Sequence, residues 1–317
     1  MNKRRLFYLS IKIAIPLLLL LPGFLPSYWA GICTEILIFG IFAMSLDLLL
    51  GYTGLPSLGH ASCFGVGAYT TAILGVKFGL NQLPWSMLAG ILMAALLHAV
   101  IGFLVLRTRG IVFLMVTLAL AQCIWAIVWK WTSLTGGSDG LPGVLRPDLG
   151  LSWWRLSNAH HFYYFVLLFF IVAVLLQYLI TKSPFGEHSL VGIRENESRM
   201  RALGYNVWLH LYIAFIFSGI FGGLAGCLMV WYNNFACTSL LDVSQSANVL
   251  LMVILGGAGV PFGPLLGAAI IVLMKNVVAA FTTHWLLVMG IMYIVTVMYM
   301  PRGIVSALRD KLHASKG

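Results

Sequence analysis

Charge is what this sequence has least of. Only 9% of its 317 residues are Asp, Glu, Lys or Arg, against about 25% in soluble domains. So few charges leave too little polar surface to clothe a water-soluble fold. Several motifs are also missing. No GxxxxGK[ST] occurs, which excludes ATP binding through a P-loop on this chain. No HExxH and no GxSxG occurs, which removes the usual metalloprotease and hydrolase signatures. The five cysteines, Cys33, Cys63, Cys123, Cys227 and Cys237, form no CxxC and lie in or near apolar stretches. They read as small packing residues rather than as a disulfide or metal framework. No metal or other cofactor is expected on this chain. No series of buried carboxylates marks a proton path, which argues against an ion-driven carrier.

What is present is apolar length. Hydrophobic residues make up 61% of the chain. Runs long enough to cross a hydrocarbon core, about 20 residues each, recur throughout. Stretches such as ILMAALL and VLLFFIVAVLL do not alternate with period two, so a β-barrel is excluded and helices remain. The reading is an all-α polytopic membrane protein, one transmembrane domain over 1–317, with about ten crossings. They fall at 6–26, 33–50, 60–76, 84–106, 111–131, 162–181, 211–232, 246–255, 264–281 and 286–300. The N-terminal Lys3, Arg4 and Arg5 precede an apolar stretch, but Pro16, Pro22 and Pro26 interrupt it and no A-x-A site follows. It reads as a retained helix rather than a signal peptide.

The net charge of +10 does not indicate a nucleic-acid partner, because the cations sit in short loops between apolar runs. Their distribution is lopsided. Arg107, Arg109, Lys182, Arg194, Arg199, Arg201 and the basic residues at both termini fall on one side, while Lys77, Lys130, Arg146 and Arg155 fall on the other. The positive-inside rule then puts both termini in the cytoplasm, as an even helix count requires.

Two loops exceed simple turns. The external one, 132–161, is rich in Gly, Pro and Trp; the cytoplasmic one, 182–210, is highly charged. In the latter, Glu195 with Arg199 and Glu197 with Arg201 are four apart and support a short helix. Its apolar members Ile193, Met200 and Leu203 fall near one another on such a helix. This loop reads as a docking element for a cytoplasmic partner. Gly and Pro also break two apolar regions, Gly51 to Tyr69 and Leu255 to Ala269. Irregular backbone at membrane depth survives only where protein or a water-filled cavity covers it. Paired breaks point to a translocation region and suggest a parallel internal repeat. The polar groups in or beside these helices, Thr53, Ser57, His60, Tyr69, Thr117 and Gln122, are the candidate pathway residues.

Other ionisable residues in apolar runs are Glu35, Asp47, His98 and Lys275. Glu35 and Asp47 are expected near the ends of their helix, with interfacial solvation. His98 is expected neutral and hydrogen-bonded to a neighbouring helix, and Lys275 is expected to snorkel outward. The GxxxG pairs Gly219/Gly223, Gly222/Gly226 and Gly263/Gly267 read as packing sites within the chain.

Five stretches in order, LLLGYTGLPSLGHASCFGVGAY, LRTRGIVFLMVTLALAQ with LTGGSDGLPG, SPFGEHSLVGIRENESRMRALGYN, LMVILGGAGVPFGPLLGAA and MPRGI, resemble the permease subunits of branched-chain amino-acid ABC importers. The similarity is closest to the second, longer member of the permease pair. Leu55 and Pro56 stand where Gln and Leu are common in that family. The resemblance implies a bacterial inner-membrane importer built with a second homologous permease, two cytoplasmic ATPases that hold ATP and Mg, and a periplasmic substrate-binding protein. It further implies that Ser183, Pro184, Phe185, Gly186, Arg194, Glu195, Asn196, Glu197, Ala202 and Gly204 belong to the ATPase-coupling loop. Alternatives are a permease for urea or short amides, or an ion-coupled secondary carrier of a small polar solute.

Overall fold

The computed structural model describes residues 26–80, 83–147, 156–260 and 262–281, with six further helical positions between 287 and 298. Eleven α-helices are present among the described residues. They are α1 Ser27–Asp47, α2 Ala61–Phe78, α3 Trp85–Val105, α4 Gly110–Lys130, the single turn α5 Thr132–Thr135, α6 Ala159–Lys182, the short α7 Val191–Glu195 and α8 Glu197–Ala202, α9 Val207–Asn233, α10 Val243–Gly256 and α11 Gly263–Phe281.

Seven of these segments are long and apolar enough to cross a membrane: α1 with its continuation to Thr53, α2, α3, α4, α6, α9 and α11. They match seven of the expected crossings. The expected 246–255 crossing falls on α10, an apolar helix of only 14 residues. The expected 6–26 crossing lies outside the described residues except for Pro26, and only six positions of 286–300 are described.

α1 is the centre of the bundle. It is apolar all round, and nearly every residue from Leu37 onward is buried. Such a helix needs neighbours on every side, and α6, α9, α10 and α11 supply them. α9 is the second buried helix and packs on α2 and α3. By contrast, α3 and α4 turn Leu92, Leu96, Val100, Ile111, Val112 and Met115 outward, as helices in contact with lipid can.

Glycine explains the closeness of the central contacts. Along α9, an added Cβ at Gly219 would stand 2.6 Å from His98 Cβ, and one at Gly223 2.5 Å from Ala94 Cβ. At Gly222 it would run into Cys63 Sγ, and at Gly226 into the carbonyl of Phe64. α9 therefore presents a glycine stripe to α2 and α3, the intramolecular role expected of the GxxxG pairs. Gly263 and Gly267 do the same between α11 and α10, against the backbone of Gly256, Gly257 and Met252.

The same principle corrects the extent of the two breaks. α2 runs regularly through Gly65 and Gly67, and α11 through Gly267. Those glycines admit Leu241, the Gly223 backbone and the Met252 carbonyl rather than ending a helix. Among the described residues of the two breaks, the irregular backbone is confined to a π-helical turn Leu48–Thr53 with residues 54–60, and to residues 257–260 with 262.

The 132–161 loop is ordered where it is described. Leu141–Pro142 pairs antiparallel with Phe235–Ala236 just after α9. Arg146 donates from Nε to the Trp231 carbonyl at 3.1 Å and from Nη1 to the Leu156 carbonyl at 2.8 Å, and lies over the Phe162 ring.

Replacing Gly226 with Ala is expected to destabilise the bundle by about 1–3 kcal/mol, the usual cost of overpacking. Gly290→Ala, where nothing among the described residues lies within 4 Å, is expected not to lower the thermal midpoint in detergent. Equal midpoints for both variants would contradict the α9–α2 contact.

Candidate functional site

The two breaks meet. Gly54 ends the π turn after α1 with φ +74°, a conformation that glycine adopts without strain. Beyond α10, Gly257 and Gly259 have φ of +104° and +71°. Asp47 lies where the two come together. Its Oδ1 accepts from the Gly259 backbone N–H at 2.7 Å, and the residue is only 2% exposed. Gly51 stands directly against both; an added Cβ there would collide with Asp47 Oδ1 and Gly259 N.

A third element completes the junction. Arg194, from the charged 182–210 loop, donates from Nη1 to the Gly51 carbonyl, and its Cγ would lie 2.9 Å from a Cβ on Gly54. Burying a carboxylate away from water is costly unless it is hydrogen-bonded and near opposite charge. Asp47 has both, a backbone donor and the neighbouring Arg194 charge. The expectation of interfacial solvation for Asp47 is therefore incorrect. The helix does not end there but continues as the π turn, which carries the carboxylate inside.

The charged loop is folded, but not as one helix. Asn196, with φ −159° and ψ 99°, separates α7 from α8, and its side chain caps α8 by accepting from Arg199 N at 3.0 Å. Glu195 and Arg199 thus fall on different helices. Glu197 and Arg201 do pair, at 2.7 Å, and Arg109 before α4 reaches the same Glu197 oxygen at 2.9 Å. Burial works to raise the Glu197 carboxyl, but hydrogen bonds from Arg201 and Arg109 and their charges outweigh it and hold it below the ordinary range. Ile193 and Met200 enter an apolar cluster with Leu49, Phe113 and Phe215. Leu203 does not join them; it is 66% exposed, because α8 ends at Ala202. Of the other coupling-loop candidates, Ser183, Pro184, Phe185 and Gly186 form the turn from α6 into the π-helical segment Phe185–Leu190. Gly204, at φ +87°, reverses the chain toward α9.

Among the pathway candidates, Thr53 and Thr117 are buried, and each hydroxyl bonds to a carbonyl of its own segment, Leu49 and Leu114. Ser57 is buried and accepts from Gly59 N at 3.3 Å. Gly59 brings the break against α4, since an added Cβ would stand 2.5 Å from the Thr117 carbonyl. His60 is fully buried, 2.7 Å from Ser45 Oγ. These four residues cluster around the first break. Tyr69 does not join them: it lies nine residues beyond His60 on α2, about 13 Å at 1.5 Å per residue. Gln122 is half-buried on α4. Sequence reasoning left Asp47 and Gly259 out of the site. The signal available was a carboxylate inside an apolar run, one helical turn before a glycine.

Three other expectations need correction. His98 makes a ring contact rather than a hydrogen bond to its neighbour, stacking on Phe215 with centroids 4.7 Å apart. Lys275 turns toward Glu35, with Nζ 3.5 Å from Oε1, and Asn276 reaches the other carboxylate oxygen. Glu35 is buried against these partners rather than solvated at a helix end.

A central buried helix, lipid-ready outer helices and irregular backbone covered inside the bundle define a multi-pass α-helical membrane protein. Residues 28–297 match the model of the branched-chain amino acid transport system permease component, and the chain belongs to that family. It is thus a transporter component of the ABC permease type. It is 29% identical to the high-affinity branched-chain amino acid transport system permease protein LivM of Escherichia coli (strain K12), over 99% of this chain and 78% of that protein. The LivM of Salmonella typhimurium (strain LT2) is 28% identical over 90% of this chain and 72% of its own length. A probable branched-chain amino acid transport permease protein LivM of Methanocaldococcus jannaschii is 24% identical over 84% of this chain and 89% of its own. No solved structure matches the chain.

The Glu197 ion-pair cluster predicts a pH dependence. Its folded-state pKa lies below the ordinary value of 4.5. Its contribution to stability is therefore present above pH 4.5 and is lost as pH falls through the folded value. Glu197→Gln should lower the thermal midpoint at pH 7 and shrink the drop seen between pH 5 and pH 3. Parallel acid curves for the two proteins would rule the cluster out.

Proposed function

We propose that this chain is a membrane-spanning subunit of an ATP-driven importer of branched-chain amino acids in a bacterial cytoplasmic membrane. In this reading it works with a second homologous permease, two cytoplasmic ATPases that hold ATP and Mg, and a periplasmic binding protein that delivers substrate. Family membership and the names of the relatives support the substrate class. Both termini and the 182–210 loop face the cytoplasm, and the 132–161 loop faces outward, as the distribution of basic residues favours.

One observation carries the coupling mechanism: Arg194 of the charged loop touches the backbone where the two broken segments meet. An ATPase that moves α7 and α8 by a few ångströms moves Arg194 with them. Withdrawing the guanidinium leaves the Gly51 carbonyl without its donor and the buried Asp47 without its nearby cation. The junction is then a two-state element biased by nucleotide, as a switch requires. Ile193 and Met200, packed among Leu49 and Phe215, seat the loop on the bundle in the state in which Arg194 reaches Gly51. The chain performs no chemistry on its substrate.

Two measurements test this. Purification of the tagged chain in mild detergent should bring down a second permease and P-loop ATPases; a chain that purifies alone and transports without ATP would overturn the importer reading. In the assembled complex, Arg194→Gln should cut uptake by more than about tenfold, or roughly 1.4 kcal/mol of lost coupling, while ATP hydrolysis and membrane insertion persist. Uptake equal to wild type would remove Arg194 from the coupling path.

A further inference from the structure

Beside the first break, the pathway candidate His60 converges with two donor side chains, Cys63 and His98, that the transport reading does not use. His60 immediately precedes α2, Cys63 lies one turn into it, and His98 lies in α3. A ring nitrogen of each histidine and the Cys63 Sγ lie within 4.8 Å of one another, and all three residues are buried. The sequence offers no sign of this. Cys63 is not part of a CxxC, and His98 is far from both in the chain.

Hydrogen-bond accounting fixes the state of His60. Ser45 Oγ donates its one proton to the Phe42 carbonyl at 2.6 Å, and Ser218 Oγ donates its own to the Ser45 carbonyl at 2.7 Å. A hydroxyl has a single proton to give. Toward His60 Nε2, at 2.7 and 3.5 Å, both hydroxyls can therefore only accept. Nε2 carries the ring proton, and Nδ1 carries a bare lone pair. That Nδ1 has no hydrogen-bond partner, in a residue with 0% exposure. Buried polar atoms are almost always paired, so a fully buried lone pair with no donor calls for a ligand. The Ser45–His60 contact is also the kind of outer contact that fixes the tautomer of a metal-binding histidine.

The packing leaves room for the cluster. Glycines of α9 face it, Gly219 against His98 and Gly222 against Cys63 Sγ. Phe42 stacks on the His60 ring and Phe215 on the His98 ring, so the surroundings are apolar. We propose that His60, Cys63 and His98 form a binding site for a soft monovalent cation, Cu(I), that clips the start of α2 to α3.

Three arguments select the ion. Thiolate and imidazole donors suit Cu(I) and Zn(II), not Mg or Ca. Structural zinc takes four ligands, and among the described residues three donors stand here. Two neutral imidazoles and one thiolate carry a charge of −1. A monovalent ion makes the site neutral, whereas a divalent one leaves a net positive charge in an apolar interior, which is costly. On binding, the Cys63 thiol proton leaves to solvent and an S–Cu bond takes its place, while the hydrogen bond from Sγ to the His60 carbonyl is given up. Bonds of about 2.0–2.3 Å require donors roughly 3.5–4 Å apart, a small contraction from the distances present.

The test is to titrate the purified, reduced full-length chain with Cu(I) buffered by a chromophoric chelator, and to record the X-ray absorption of the bound copper. The expected result is one copper per chain with one sulfur and two nitrogen neighbours. Cys63→Ser and His98→Gln should abolish retention, and Ser45→Ala should weaken it by about 10–100-fold. Cys227→Ser, which alters a buried thiol outside the cluster, should change nothing. Four results would overturn the proposal: no retained copper, a shell of several sulfurs, equal loss in Cys227→Ser, or a preference for Zn(II). The absorption spectrum of the unaltered protein decides the ligand set even if a variant fails to fold. Each of these readouts is copper binding by the purified chain and none is uptake, so this site and the importer reading stand or fall separately.

Discussion

A buried carboxylate that must be satisfied by backbone is the constraint around which this structure is arranged. Asp47 lies inside an apolar bundle, and a lipid surround offers no water to solvate it. The N–H of Gly259 supplies a donor, and Arg194 supplies a nearby charge. Bringing that N–H close enough requires an α10–α11 connection with glycines at positive φ. It also requires a residue without a side chain at Gly51. The irregular backbone on both sides of the junction, and the docking of a charged loop beside it, are thus parts of one solution.

Close approach of backbones serves a second purpose in the rest of the bundle. Helices in lipid gain little from hiding apolar surface from one another, so they associate through dispersion and close fit. The α9 stripe shows how this works. Gly223 meets Ala94, Gly226 meets the Phe64 carbonyl, and Gly219 makes space for the His98 ring. The stripe that holds α2, α3 and α9 together is therefore the one that admits polar side chains to their common interior. Packing and chemistry share the same few positions.

Much of this was legible from residue patterns. Apolar length located seven long helices and the shorter α10, because the cost of an unsatisfied backbone in lipid leaves no other spanning structure. The i,i+4 rule found Glu197 with Arg201. It failed for Glu195 with Arg199, because Asn196 makes a better cap than a helix interior. The breaks were placed too broadly, since a glycine that interrupts a helix and a glycine that admits a neighbour look alike in sequence. Leu203 looked like a partner of Met200 only while one continuous helix was assumed. Asp47 was assigned to an interface because a π turn that prolongs a helix leaves no compositional mark. The contacts of Arg109 with Glu197 and of Arg194 with Gly51 join residues 88 and 143 apart, beyond the reach of any local pattern.

The order of synthesis gives the Asp47 junction a history. Gly259 follows Asp47 by 212 residues, and Lys275 follows Glu35 by 240. At about 5–20 residues per second, the first interval lasts roughly 10–40 s. Throughout it, α1 is threaded into the bilayer with Asp47 lacking the Gly259 N–H and Glu35 lacking Lys275 and Asn276. The helix that becomes the centre of the bundle thus gains these partners only when the last third of the chain arrives. A chain truncated before α10 leaves Asp47 without the Gly259 N–H and Glu35 without Lys275 and Asn276.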